Sequence, residues 1–267
     1  MAKDLLNFYT TDSYIQTLAT KLREPNKKLY LKLPSASLAA TIAAATYKIN
    51  KQHNLIVAET TTQAHHIYTD LCQILQESNL ALYPPYKTNK DTDPHKALCN
   101  QTLLKLSNNQ PICIVTSPEA ALQKHQNPHN QQLHTIKKGH TLNPQTIINK
   151  LQNSNFKKVP FAKQFGQFAI RGGIIDIFSY SSHQPYRVEL SGNQVENIRH
   201  FDPESQLSDQ TLESCIILGN VDMPSSQNEN IFSYLPPKST IWLQNYTKIL
   251  NTEEEKKLET LTRVIQE

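Results

Sequence analysis

The sequence predicts an α/β protein: a parallel sheet packed with helices, followed by a smaller, mainly antiparallel α+β region. Two observations predict it. Short apolar runs alternate with helical patterns through the first half, as in a parallel sheet with helices on its faces. After Phe156 the pattern changes to consecutive strands separated by Gly, Ser and Pro turns, as in an antiparallel sheet. All six glycines (139, 166, 172, 173, 192 and 219) lie in the second half, and residues 1–138 contain none.

The elements follow in order. Residues 28–33 (KLYLKL) read as a strand, and Ser35 or Ser37 can cap the helix SLAATIAAATYKIN behind it. Residues 54–59 (NLIVAE) read as a second strand. Residues 60–76 read as a helix with Ala64, Ile67, Leu71 and Ile74 at near-helical spacing. A short strand at 81–83, a helix at 96–106 and a buried strand at 111–116 (PICIVT) complete this series. The loop composition of 123–131 marks a domain edge. A further α/β unit can start at 133–138 with a helix at 143–152, before strands at 157–162, 166–171, 174–178, 187–190 and 195–199. Residues 220–230 (NVDMPSSQNEN) look like a linker. The chain closes on a strand at 240–243, expected to return to the first sheet, and a charged helix at 251–266. The expected division is 1–132, an inserted sheet domain at 133–219, and a return segment at 220–267.

Composition narrows the function. The chain has 267 residues, 38% hydrophobic and only 19% charged, with a net charge of +4. That balance permits weak attraction to nucleic acid without requiring it. The four cysteines (72, 99, 113 and 215) form no C-x-x-C and read as reduced, buried thiols of a cytoplasmic protein. No apolar run is long enough to span a membrane, so no membrane partner is expected. No Gly-Lys dipeptide occurs, so there is no G-x-x-x-x-G-K-[ST] loop; G-x-G-x-x-G, G-x-S-x-G and H-E-x-x-H do not occur either. No catalytic residue and no cofactor is therefore expected. His125, His129 and His134 have ligand-like gaps and His65-His66 are adjacent, but no cysteine or carboxylate framework accompanies them, and no metal is expected. Tyr83 and Tyr86, beside Pro84-Pro85, are assigned to packing.

The densest region is 166–206, which holds GQFAIRGGIIDIF and PYRVELSGNQVENIRHFDPESQ. Alternation puts Phe168 and Ile170 on one face of their strand and Gln167, Ala169 and Arg171 on the other. In the next segment Val188 and Leu190 face inward, and Arg187, Glu189 and Ser191 face out. Guanidiniums on an open sheet face suit a partner bearing carboxylates. The same pattern also fits an ordinary solvated face with Arg187 paired to Glu189 or Asp176.

GQFAIRGGIIDIF, PYRVELSGNQVENIR and FDPESQLS resemble, in order and spacing, three motifs of bacterial transcription-repair coupling factors: G-E-F-A-x-R-G-G-I-x-D-[IL]-F, P-x-R-[IV]-[DE]-F-F-G-D-E-[IV]-x-[ST]-[IL]-R and F-[DE]-x-x-[ST]-Q-x-[ST]. PICIVTSPEAAL and IFSYLPPKSTIWLQN resemble flanking parts of the same family. The resemblance is tight from 156 to 218 and loose before 110. It implies the family's N-terminal module, similar to the excinuclease protein UvrB: a degenerate RecA-like domain interrupted by the small sheet domain. The position equivalent to a P-loop is Pro34-Ser35-Ala36-Ser37, with neither glycine nor lysine. The resemblance implies that the sheet domain recruits the excinuclease protein UvrA, with family contacts at Arg171, Arg187 and Ser191 and with Gln167 and Glu189 on the same face. Three positions depart from the family: Ser191 replaces an aromatic, Gln167 a glutamate, and Asn193-Gln194 an Asp-Glu pair.

Three readings follow. The first is a docking module without ATPase activity. Its other partners would be the rest of its own full-length chain, with RNA polymerase and DNA engaged only through domains outside these residues. ATP and Mg would belong to the motor, which would be an ATP-dependent DNA translocase. The second is a DNA-binding domain similar to UvrB. The third is a structural or autoinhibitory domain that packs on the motor.

Overall fold

The computed structural model describes residues 2–24, 28–31, 36–75, 79–87, 93–107, 110–125, 127–219, 229–244 and 262–266. The elements in chain order are α1 (Ala2–Thr11), α2 (Ser13–Leu22), β1 (Lys28–Leu31), α3 (Ala36–Asn50), β2 (Asn54–Val57), α4 (Thr61–Leu75), β3 (Leu80–Tyr83), α5 (Pro94–Leu106), β4 (Cys113–Thr116) and α6 (Pro118–Leu122). There follow β5 (Gln132–Lys137), α7 (Pro144–Asn153), β6 (Lys157–Lys158), β7 (Gln167–Arg171), β8 (Ile174–Phe178), β9 (Tyr186–Ser191), β10 (Gln194–Phe201), β11 (Ser208–Leu212), β12 (Ser214–Leu218), α8 (Ile231–Tyr234), β13 (Thr240–Gln244) and β14 (Thr262–Gln266). Contacts divide the chain into two compact units. One comprises Met1–Pro85, Thr102–His125 and Glu229–Glu267; the other comprises Tyr86–Gln101 and Gln126–Asn228.

The first unit is built on a parallel sheet in the order β1-β14-β13-β2-β4-β3. Its central strands β2 and β4 are buried at every position, which is why they read as unbroken apolar runs rather than as alternation. Helix α3 supplies Ala40, Ala43, Ala44 and Ala45 to the core, and α4 supplies Ala64, Ile67, Leu71 and Leu75. Methyl side chains let α3 lie close to its neighbours at no cost in rotamer entropy. Asp12 separates α1 from α2 and caps the latter, accepting from Tyr14 N at 2.9 Å and Ile15 N at 3.1 Å. Inside the sheet, Trp242 Nε1 donates to Asn54 Oδ1 at 2.7 Å, so this buried amide and indole satisfy each other.

Residues 262–266 differ from the expected C-terminal helix. They form β14, a parallel strand between β1 and β13; the rest of that expected helix, 251–261, lies outside the described residues. The return of β13 to the first sheet is as expected, with Ile241 beside Leu55 and Trp242 beside Ile56. The expectation of four buried thiols needs one correction: Cys99, Cys113 and Cys215 are buried, whereas Cys72 is exposed, on the outer side of α4.

The second unit is a mainly antiparallel sheet in the order β11-β10-β9-β8-β7-β6, with only β6 and β7 parallel, together with a ribbon of β12 and β5. One face of the sheet carries Phe168, Ile175, Ile177, Val188, Val195 and Ile198. It forms a single core with Ile147 and Leu151 of α7 and with Ile136, Cys215 and Ile217 of the ribbon. Asn143 caps α7 through Gln145 N at 2.9 Å, and Pro144 occupies the first helical position. The strand expected at 157–162 stops at Lys158, because Pro160 has no N–H to donate to a ladder. Buried Ser179 ties the end of β8 to the ribbon, its Oγ accepting from Leu218 N at 2.8 Å.

Candidate protein-docking site

The other face of the second sheet is set by register. Ala169 lies opposite Asp176, Asp176 opposite Arg187, and Arg187 opposite Arg199. The neighbouring row runs Arg171, Ile174, Glu189 and Asn197. Because side chains alternate along each strand, Arg171, Asp176, Arg187, Glu189 and Arg199 all project from this one face.

Asp176 organises it. The residue is fully buried, and its carboxylate takes both arginines. Arg187 Nε donates to Oδ1 at 2.8 Å and Nη2 to Oδ2 at 3.0 Å, a bidentate fork; Arg171 Nη2 also donates to Oδ2. Arg187 Nη1 reaches Gln206 O at 3.0 Å and Ser208 Oγ at 3.2 Å. Four of its five N–H donors are thus taken inside the unit, and its guanidinium carbon stands 4.5 Å from the centre of the Phe201 ring. Its hydrogen bonds to Asp176 raise the Arg187 pKa above its already high value, against the opposing effect of burial.

The two arginines therefore differ. The Arg187 side chain is only 12% exposed and that of Arg171 is 35% exposed. The expectation that both stand open on the sheet holds only in part: Arg187 is covered, whereas Arg171 stays accessible, as does Arg199 of the same face at 37%. Arg171 stacks over Phe161, its guanidinium carbon 4.9 Å from the ring centre. On the far side of the face, Glu189 accepts from Asn197 Nδ2 at 3.1 Å and pairs with Arg199 at 3.2 Å. Within this cluster of five side chains, three arginines stand against two carboxylates, Asp176 and Glu189.

The remaining sequence-predicted positions fall as follows. Ser191 is exposed at the end of β9, beside the turn at Gly172-Gly173. The Gln167 side chain turns along its own loop, Oε1 accepting from Lys163 N at 3.0 Å and Gln164 N at 3.1 Å. The Gly172-Gly173 turn uses its glycines differently. Gly172 has φ +59°, whereas Gly173 is needed for space, since a Cβ there would lie 2.6 Å from Leu190 O. In the first unit, Pro34 and Ser35 lie outside the described residues. Ala36 opens α3, and Ser37 is exposed, its carbonyl accepting from Thr41 Oγ1 at 2.9 Å. His125 is buried with its ring centre 6.3 Å from that of Tyr83, while His134 lies 3.2 Å from Lys150 Nζ and has its pKa lowered by burial and by that cation. Sequence reasoning gave Asp176 no central role. Its signal is an acid between isoleucines on the arginine-bearing face, readable only once register is known.

A mainly antiparallel sheet with an acid-clamped arginine pair, carried by a chain that also forms a parallel α/β sheet, defines the class. Residues 134–222 match the UvrB interaction domain family. The chain is also similar to curated transcription-repair-coupling factors: 30% identical over 192 residues to that of Staphylococcus haemolyticus, covering 68% of this chain and 16% of the relative. It is 29% identical over 211 residues to the factor of Staphylococcus aureus, covering 76% and 18%, and 25% identical over 220 residues to that of Bacillus subtilis, covering 79% and 18%. The chain thus belongs to the transcription-repair-coupling factor family, as its N-terminal module resembling UvrB. It spans less than a fifth of the length of these relatives.

Proposed function

We propose that this chain is the recruitment part of a transcription-repair coupling factor, whose sheet unit docks the excinuclease protein UvrA in the cytoplasm. The observation that carries this reading is Arg171: a partly exposed guanidinium, fixed by Asp176, inside the matched UvrB interaction domain. A guanidinium already held in place loses little freedom when a partner carboxylate reaches it. With no glycine–lysine phosphate loop anywhere in the sequence, the chain binds no nucleotide and turns over no ATP by itself. ATP, Mg, DNA and RNA polymerase belong, on this reading, to other parts of the full-length protein. Those parts translocate on DNA and also contact this module. The saturation of Arg187 favours a second reading for that residue, a purely structural one.

Titration of the chain against UvrA from the same source tests the proposal. Binding by the intact chain, weakened about tenfold or more by Arg171→Ala, supports it. A failure of the intact chain to bind at tens of micromolar overturns it. Arg187 is left intact, because its loss would unfold the surface under test.

A further inference from the structure

We propose that Phe161 and Leu207 are the apolar anchors of the docking surface, and that the complementary partner surface is an apolar cleft rimmed by carboxylates. The inference rests on the docking role proposed above and adds to it where the contact sits and what holds it. Phe161 is 50% exposed and Leu207 is 72% exposed, whereas the other large hydrophobic side chains among the described residues of this unit are buried or half-buried. Both lie beside the arginine cluster. Phe161 sits under the Arg171 guanidinium, and Leu207 directly follows Gln206, whose carbonyl receives Arg187.

The loops that carry them are pinned. Lys163 and Glu204 join the two loops through an ion pair at 3.0 Å. Gln167 caps the Phe161 loop at Lys163 and Gln164. Asp202 Oδ1 accepts from Glu204 N at 3.1 Å and Ser205 N at 2.7 Å, and Asp202 N donates to Leu207 O at 2.9 Å. Exposed apolar side chains on ordered turns lose little entropy when they bind, and an aromatic ring such as Phe161 beside an arginine matches the residues enriched at protein interfaces, with Leu207 adding apolar area. The Arg171 guanidinium beside Phe161 suits a partner with acidic groups at that point of the contact. Ser191, beside the Gly172-Gly173 turn, offers no comparable apolar area.

The test titrates the chain against UvrA with Phe161→Ala, Leu207→Ala and Ser191→Ala variants, each first checked for an unchanged melting curve. The expected result is about tenfold weaker binding for each of the first two, persisting at high salt, where the contribution of Arg171 shrinks, and no change for Ser191→Ala. Binding by the intact chain that Phe161→Ala and Leu207→Ala leave within twofold overturns this inference and leaves the docking role standing. No binding by the intact chain overturns both.

Discussion

Replacing Arg187 with methionine keeps most of the side-chain volume and removes the charge that faces Asp176. The carboxylate is fully buried and would lose the two-bond fork at 2.8 and 3.0 Å, retaining only Arg171. Removing one member of a buried ion pair costs about 3–5 kcal/mol, because the remaining charge stays out of water. The lost stacking on Phe201 adds about 0.5–1 kcal/mol. Arg171 offsets part of this, so the expected loss in the second unit is about 3 kcal/mol. Arg199→Met is the internal comparison. It breaks a pair whose side chains are 37% and 24% exposed, which is expected to cost less than about 1 kcal/mol. The assay is urea unfolding followed by amide hydrogen exchange in β8 and β9. Fluorescence of Trp242, the chain's single tryptophan and part of the first unit, serves as a control that should not move. Asp176→Leu combined with Arg187→Met should recover most of the loss, since a buried ion pair can be exchanged for apolar groups at little cost. If Arg187→Met proves no more damaging than Arg199→Met, Asp176 does not organise this face.

Two further outcomes follow from the same unit. Burial is the main cause holding the His200 imidazole below its ordinary value of 6.5, with its ring stacked 4.9 Å from that of Tyr186. The unfolded chain therefore takes up a proton first, so this contribution is complete above about pH 6.5 and is lost as pH falls through that value toward the depressed folded one. His134, also lowered by burial, acts with the same sign. Urea midpoints should drop between pH 7.5 and 5, and His200→Phe should flatten the slope; an unchanged slope would sink the assignment. Gly173→Ala should destabilise the β8–β9 hairpin by about 1–3 kcal/mol through collision with Leu190 O. Gly172→Ala, where a Cβ meets nothing within 4 Å, should cost only the backbone strain of about 1 kcal/mol. Equal melting shifts for the two would contradict the packing argument.

Much of the fold was legible in the sequence because its strands are strongly patterned. NLIV and CIVT are buried throughout and stand out as apolar runs, and the capping residue Asn143 marks the start of α7. The errors have physical causes. TRVIQ follows a run of glutamates and lysines that favours a helix, yet its pairing with β1 and β13 makes it a strand; those partners lie far away in sequence and leave no local signal. Arg171 and Arg187 were legible as residues of one face by simple alternation. Pairing of Arg187 with Asp176 was one of two readings the pattern allowed; that it prevails, and that Arg171 shares the same carboxylate while staying partly exposed, depends on cross-strand register and on a turn at 202–207 folding back over the sheet. The exposure of Phe161 and Leu207 was missed because nothing local distinguishes them from core residues.

The order of strands in the first sheet bears on how a ribosome delivers this protein. β2 pairs with β4 on one side and with β13 on the other, and roughly 120 residues separate β4 from β13 along the chain. During synthesis the half-sheet β2-β4-β3 exists with the four-residue apolar border of β2 unpaired, while residues 126–228 of the second unit emerge. Only then does β13 arrive to close the border, followed by β14 and the recruitment of β1. An open strand border of this kind is the usual entry point for misassembly between nascent chains. The insertion thus makes the older part of the polypeptide the last to mature, and leaves its aggregation risk greatest in the seconds before residues 240–244 clear the exit tunnel.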